Sequence, residues 1–211
     1  MPTYIKFGDE WVAKNNELPN TGYKLNLEDL KCLDGDEWLK DSIMHSVMQL
    51  MAYRAKERGC RHYYFDPVNL ALLLRDGKHA VCPSDLVLKN VDLIFFPTNV
   101  PNIHWFLTVV DVCQREIILY ESLPEARADY MKKIQDLIAI WAERQEYTQL
   151  VPTLTVCAPK TKLIMQEDSS SCGLHTLANA DCVGSGRDPN CYGKDYEKDM
   201  KKLERGFKIC C

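Results

Sequence analysis

Three strongly apolar segments follow one another in the middle of the chain, and they constrain the possible folds more than any other feature. They are VDLIFFPTNV, HWFLTVVDV and REIILYESL, which begin at residues 91, 104 and 115. Their Val, Ile, Phe and Tyr side chains favour β-strands, and the short Cys-Gln-Arg connection between the last two predicts a hairpin. The sequence therefore predicts consecutive strands in the middle of a sheet.

Segments with apolar residues at helical spacing lie on both sides of these strands. In residues 37–59 the apolar stripe follows Asp36 and stops at Gly59, as expected of a long, half-buried helix. The predicted helices cover residues 25–33, 37–59, 65–77, 83–90, 125–147, 172–184 and 195–209. With a further strand over 151–158, this order predicts an α+β fold rather than regular βαβ alternation.

Length and charge exclude several classes of protein. With 211 residues, 46% of them apolar, the chain can build one good core but is short for two, so we expect a single domain over residues 1–211 that acts as a monomer. The net charge of −4 is spread along the sequence, which argues against a nucleic-acid partner. Without a signal peptide or a membrane-spanning run, an intracellular location in the cytoplasm or nucleus is expected.

The cysteine pattern predicts reduced thiols and no metal site. No CxxC pair and no paired His/Cys spacing of a zinc module occurs, and a disulfide framework is not expected without a secretory signal. The terminal Cys210-Cys211 pair fits either a double prenylation site or a frayed tail. The ten cysteines are at positions 32, 60, 82, 113, 157, 172, 182, 191, 210 and 211.

Cys172 stands where a polar loop becomes a predicted helix, in QEDSSSCGLHTLANA. A cysteine is a nucleophile only as the thiolate, and the unpaired N–H groups of a first helical turn stabilise negative charge. Gly173 is expected to leave the approach to the sulfur uncrowded. Taken alone, Cys172 is more often one more buried thiol, so its role depends on its neighbours.

The proposed neighbours are His104 and Glu121. His104 opens one predicted strand and Glu121 ends the next, so a hairpin brings them together although they are 17 residues apart. A carboxylate holds an imidazole in one tautomer, and the other nitrogen can then take a thiol proton. Gln166, six residues before Cys172, can direct its side-chain NH2 at a developing oxyanion. Singly, each of the three is more often structural.

Four motifs in this order resemble the ubiquitin-like-protein-specific cysteine proteases, the SUMO-protease (sentrin-specific protease) family. That family has a WLxD helix start, an HW pair after a proline-containing strand, a YDSL-like segment and Q-x5-C-G. The chain carries WLKD at 38–41, FFPTNVPNIHW at 95–105, YESL at 120–123, and Gln166 ahead of CG at 172–173. The resemblance spans residues 36–185 and implies a rearranged papain-like fold, with a central mixed or antiparallel sheet flanked by helices.

The resemblance also implies a role for each matching residue. Cys172 would be the nucleophile, His104 the general base and later the general acid, and Glu121 the carboxylate that orients His104. Gln166 would be the oxyanion donor.

Three further residues would bind substrate. Trp38 and Trp105 would clamp the flat Gly-Gly tail of a ubiquitin-like modifier, and Asp41 would contact the modifier itself. The alternatives are plain core packing for both tryptophans and an exposed first-turn aspartate.

The sequence departs from the family pattern at Glu121, where aspartate is usual, and at Lys40, where a polar residue such as asparagine is common. Glutamate instead resembles the adenovirus-type maturation proteases and the bacterial acetyltransferase effectors of the same fold. The expected function is hydrolysis of the bond after the C-terminal Gly-Gly of SUMO or another ubiquitin-like protein, and ubiquitin itself is one candidate. No cofactor is expected. A maturation endopeptidase, an acetyltransferase and an inactive binding module are the alternatives.

Overall fold

The computed structural model describes residues 4–7, 10–14, 29, 32, 37–77, 81–100 and 103–192. The helix predicted over 195–209, most of the helix predicted over 25–33, and Cys210-Cys211 lie outside these ranges.

A five-stranded mixed sheet forms the centre of the described structure, with the strand order β3-β4-β5-β6-β7. The three middle strands pair antiparallel, and this confirms the consecutive strands predicted from the sequence. Each outer strand pairs parallel to its neighbour. The strands are β3 (His62–Tyr64), β4 (Leu93–Val100), β5 (His104–Asp111), β6 (Glu116–Tyr120) and β7 (Thr155–Cys157).

Two strands near the N-terminus form a separate antiparallel hairpin, β1 (Tyr4–Phe7) with β2 (Glu10–Lys14). Neither this hairpin nor β3 was predicted. β3 has only three residues, which is too short for a period-two pattern to be seen in the sequence.

The described residues contain four α-helices, α1 (Asp41–Glu57), α2 (Pro67–Asp76), α3 (Ala128–Arg144) and α4 (Cys172–Gly184). The side chain of Asp66 caps α2 by accepting hydrogen bonds from the backbone N–H of Val68 at 2.8 Å and of Asn69 at 3.0 Å. The helix predicted over 83–90 is wrong in type, since only a 3-10 turn forms, at Leu88–Asn90. In the described part of the chain, no helix has the length and apolar character needed to cross a membrane.

The sheet is buried on both faces. Alternate residues of β5 point to opposite sides, so that Trp105, Leu107 and Val109 pack with α1 and α4, whereas Val110 of the same strand packs with α3 and α2. A sheet with helices on both faces, built around antiparallel hairpins, is the predicted α+β fold. At one end of this sheet β5 begins, β6 ends and α4 begins.

Candidate active site

His104 and Glu121 form a buried pair at this end of the sheet. The Nε2 atom of His104 lies 2.5 Å from Oε1 of Glu121, and the side chain of each is almost completely covered. The structure therefore brings together the imidazole and the carboxylate, as the predicted hairpin requires.

The strand register explains why a glutamate reaches His104. The last aligned pair of the hairpin is Leu107 opposite Tyr120, so the next step along this register sets Phe106 opposite Glu121. His104 lies two residues beyond Phe106, on the same face of the strand. Such diagonal neighbours have Cα atoms roughly 7–8 Å apart, and the long side chain of glutamate spans that offset.

Cys172 completes the group as the first residue of α4. Its thiol is close enough to the imidazole of His104 to raise the pKa of that ring. Because Nε2 of His104 is engaged with Glu121, the nitrogen available to the thiol is Nδ1. Burial lowers the pKa of His104, but hydrogen bonds to Cys172 and Glu121 and their charges outweigh it and raise the pKa to about 9. The geometry thus favours a protonated imidazole next to the sulfur.

Arg127, which the sequence analysis did not identify, holds the other oxygen of Glu121. Its Nε donates to Oε2 at 2.7 Å, while the backbone N–H of Leu123 donates to Oε1 at 2.9 Å. Burial raises the pKa of Glu121, but the hydrogen bonds from His104, Arg127 and Leu123 lower it further, so the net shift is downward. The carboxylate is therefore ionised and held by three donors.

Gln166 is fixed by its neighbours through both ends of its amide. Its Oε1 accepts a hydrogen bond from the hydroxyl of Ser122 at 2.6 Å, and its Nε2 donates to the backbone carbonyl of Asp168 at 2.9 Å. Its backbone N–H also donates to the carbonyl of Ser122 at 3.0 Å. A carboxamide has two N–H hydrogens, so one remains for a substrate oxygen. Ser122 is a second supporting residue that the sequence analysis did not identify.

The structure gives a packing reason for glycine at position 173, in addition to the one expected from the sequence. A Cβ atom at this position would lie 2.6 Å from Cβ of Leu39 and 3.4 Å from Cδ1 of Trp105. The glycine therefore permits close packing of α4 against the segment before α1. This packing role was not predicted from the sequence, and the Cys172 side chain beside it is only 1% exposed.

The two tryptophans of the resemblance lie in different surroundings. Trp105 is 1% exposed and belongs to the core, and its indole N–H donates to the carbonyl of Leu39 at 2.9 Å. Trp38 is 38% exposed, and its indole N–H donates to the carbonyl of Ser169 at 2.9 Å. Trp38 therefore bridges from the segment before α1 to the segment before Cys172.

Asp41, the first residue of α1, makes an internal contact. Its Oδ1 accepts a hydrogen bond from Nδ2 of Asn99 at 3.1 Å, and Asn99 is opposite Trp105 in the sheet register. This bond ties the start of α1 to β4 beside the site.

Another buried histidine, His175, lies one helical turn after the thiol. Burial is the main cause that lowers the pKa of His175. The charge of Asp168 raises this pKa and that of His104 lowers it, and the net result is a pKa of about 4. His175 is therefore neutral at physiological pH and cannot replace His104 as the charged partner of the sulfur. Within the described ranges, no group of three or more His, Cys, Asp and Glu side chains could hold a metal ion.

Comparisons with known proteins agree with this geometry. A family model of the Ulp1 protease family, C-terminal catalytic domain, matches residues 37–209. The chain resembles the SUMO protease Ulp1 with its catalytic cysteine oxidised to a sulfinic acid, with 18% identity, a TM-score of 0.71, and coverage of 90% of this chain and 89% of that one.

Two further structures share the fold at similar distance. The yeast Ulp1 protease domain in complex with Smt3, the yeast ortholog of SUMO, has 18% identity and a TM-score of 0.68 over 98% of this chain and 85% of that one. The Ulp1-like SUMO protease catalytic domain of Chaetomium thermophilum has 19% identity and a TM-score of 0.64, over 80% and 70%. The predicted rearranged papain-like fold is thereby confirmed, and the chain belongs to the Ulp1 protease family of cysteine peptidases.

Proposed function

We propose that this cysteine peptidase cleaves the bond after the C-terminal Gly-Gly of SUMO or another ubiquitin-like modifier, with Cys172 as the nucleophile. The observation that carries the proposal is the buried pair of His104 and Glu121, 2.5 Å apart, beside Cys172, whose thiol raises the pKa of the His104 imidazole. The substrate class is taken from the Ulp1 proteases with which the chain shares its fold, one of which is bound to Smt3.

The first half of the reaction forms an acyl-enzyme. The thiolate of Cys172 attacks the carbonyl carbon of the last glycine, and the carbonyl oxygen becomes negatively charged. The remaining N–H of Gln166 and the backbone N–H at the start of α4 stabilise that oxyanion. The C–N bond then breaks, and the imidazolium of His104 donates its proton to the leaving amine.

The second half releases the modifier. Neutral His104 takes a proton from water as the hydroxide attacks the thioester, and the thiolate of Cys172 leaves. Glu121 keeps the imidazole oriented through both halves, because Nε2 stays bound to its carboxylate. The protons balance between His104 and the substrate, so this chemistry requires no cofactor.

Trp38 and Trp105 would border the modifier's tail. Only glycine has no side chain to strike two flat indoles, so a narrow path between them selects a Gly-Gly ending. The indole N–H of Trp38 donates to the carbonyl of Ser169, three residues before Cys172, so one of these walls is tied to the segment that leads to the nucleophile. Asp41 would contact the folded modifier from the start of α1.

Hydrolysis of a folded SUMO–fluorophore amide, compared with a fluorophore on the isolated tail peptide, tests the proposal. The folded substrate should be cleaved and the peptide should react far more slowly, because docking of the modifier supplies binding energy. Trp38→Ala should lose most of the activity, while Trp38→Phe, which keeps the aromatic wall but has no indole N–H, should retain most of it. Equal cleavage of peptide and folded substrate would indicate a peptide-cutting maturation protease instead.

A further inference from the structure

Arg127 is a buried cation whose contacts converge on Glu121. Its side chain is 10% exposed, and its Nη1 also lies 2.6 Å from Oε2 of Glu125. Its guanidinium carbon lies 5.5 Å from the centre of the Phe106 ring, the residue that the strand register sets opposite Glu121. The ring restricts the guanidinium from one side, and the two carboxylates hold it at its edges.

The backbone of Arg127 is held in an unfavourable conformation. Its φ is +44° and its ψ is +35°, in the left-handed region that residues other than Gly, Asn and Asp rarely adopt. Its carbonyl accepts hydrogen bonds from the N–H of Tyr130 and Met131, at the first turn of α3. Its side chain makes no capping bond to that helix. Asparagine would suit this backbone better, so the arginine is explained by what its side chain reaches.

Stability alone does not account for the buried cluster either. Buried ion pairs often contribute little to folding, because removing charges from water offsets their attraction. Strained backbone and buried charge concentrate at functional sites.

We propose that Arg127 is a positioning residue of the catalytic site, whose guanidinium clamps the far oxygen of Glu121 so that the near oxygen stays aimed at His104. Arg127 does not touch the reacting atoms and acts only through Glu121. The inference rests on the proposed roles of Cys172, His104 and Glu121. It also explains how a glutamate, with one more rotatable bond than aspartate, is kept in a single orientation beside the imidazole.

The clamp predicts a change in the pH dependence of Cys172. An adjacent cation lowers a carboxyl pKa by about 1–3 units, so Glu121 should protonate at higher pH once Arg127 is neutralised. Protonated Glu121 cannot support the imidazolium next to the thiolate. The other ionisable groups around this cluster are the same in the native protein and in the Arg127 variants, so a difference between their pH profiles reports on Arg127. These groups are Cys172 and His175 on α4, Asp168 ahead of α4, and Glu125.

The test is the rate at which iodoacetamide alkylates Cys172 as a function of pH, followed by mass spectrometry of the Cys172 peptide in the full chain. Arg127→Asn and Arg127→Gln both remove the charge; the first suits the backbone and the second keeps the stem over Phe106. Arg115→Asn is the matched control, because Arg115 also has a left-handed φ, of +61°. Unlike Arg127, Arg115 is exposed, and its Nη1 donates to the hydroxyl of Thr153 and not to a carboxylate.

In both neutral variants the acid limb of the alkylation profile should move upward by about one pH unit, with a melting temperature close to that of the native protein. Arg127→Lys, which restores the charge, should recover part of the shift, and Arg115→Asn should show the native profile. A native profile in either folded neutral variant would overturn the proposal. Unfolding of both would also overturn it, because Arg127 would then be a structural residue.

Alkylation needs no modifier, so the two proposals fail separately. If SUMO and related proteins are not substrates, cleavage is absent in the native protein while the alkylation profiles still report on Arg127.

Discussion

The contact between α4 and the segment before α1 predicts that Gly173→Ala destabilises the protein. The new Cβ would lie 2.6 Å from Cβ of Leu39, so the two backbones must separate by about 0.8 Å to reach 3.4 Å, the start of ordinary contact. No rotamer change relieves this clash, because a Cβ moves only with its backbone. Leu39 is also held in place by the bond from Trp105 to its carbonyl.

The magnitude follows from two opposing effects. Overpacking a tight core costs about 1–3 kcal/mol, and replacing a helical glycine by alanine returns up to about 1 kcal/mol. We expect a net loss of about 1–2 kcal/mol, which for a protein of this size lowers the melting temperature by roughly 2–8 °C. Urea unfolding should show a lower midpoint with an unchanged slope.

A double-mutant cycle identifies the clashing atom. Leu39→Ala keeps Cβ, so Gly173→Ala should remain costly in that background, whereas Leu39→Gly removes Cβ and should make Gly173→Ala neutral or stabilising. A Cβ–Cβ clash is refuted if Gly173→Ala is as stable as the native protein, or if Leu39→Ala relieves the cost of Gly173→Ala as fully as Leu39→Gly does.

Three further predictions concern the site and the thiols. Burial lowers the pKa of His104, but Cys172 and Glu121 raise it to about 9. The imidazolium is lost as pH rises through this value, so activity should fall above about pH 9. In Glu121→Gln the fall should begin at lower pH, and a pH profile of kcat/KM checks both expectations. Ser122→Ala removes the hydrogen bond that holds Oε1 of Gln166, and such a bond contributes about 1 kcal/mol. We therefore expect kcat to drop roughly 5-fold with little change in KM. The control Thr153→Ala, far from the site, should have no effect on kcat. The sulfur atoms of Cys182 and Cys191 lie 3.0 Å apart, so hydrogen peroxide should oxidise the two thiols to a disulfide while the peroxide is reduced to water. Peptide mapping without reductant should find this disulfide, and Cys191→Ser should lack it.

The sequence predicted the elements whose signal is local and long. The strands around β4 to β6 are apolar and close together in the chain, and the hairpin connection brings His104 to Glu121 without any long-range information. In contrast, β3 has three residues, and it pairs parallel with a strand about 30 residues away, so nothing in its own sequence marks it as part of the sheet.

The supporting residues of the site were harder to predict for a related reason. Arg127 lies six residues after Glu121 and inside the helix predicted over residues 125–147; only the folded chain shows that α3 begins at Ala128 and that Arg127, just before it, contacts the carboxylate. The role of Gly173 depends on Leu39, which is 134 residues away in sequence. The spacing of Gln166 and Cys172 suggested a shared site, but the hydroxyl of Ser122 that fixes the amide could be found only from the structure.

The most direct test of the central claim is the intact mass of the protein after reaction with SUMO, ubiquitin and other ubiquitin-like proteins that carry a thiol-reactive group at the C-terminus. We predict a one-to-one adduct with at least one of these probes, attached at Cys172, absent in Cys172→Ala and strongly slowed in Glu121→Ala. If no probe forms an adduct while iodoacetamide still labels Cys172, or if the adduct persists in Cys172→Ala, the proposed function is contradicted.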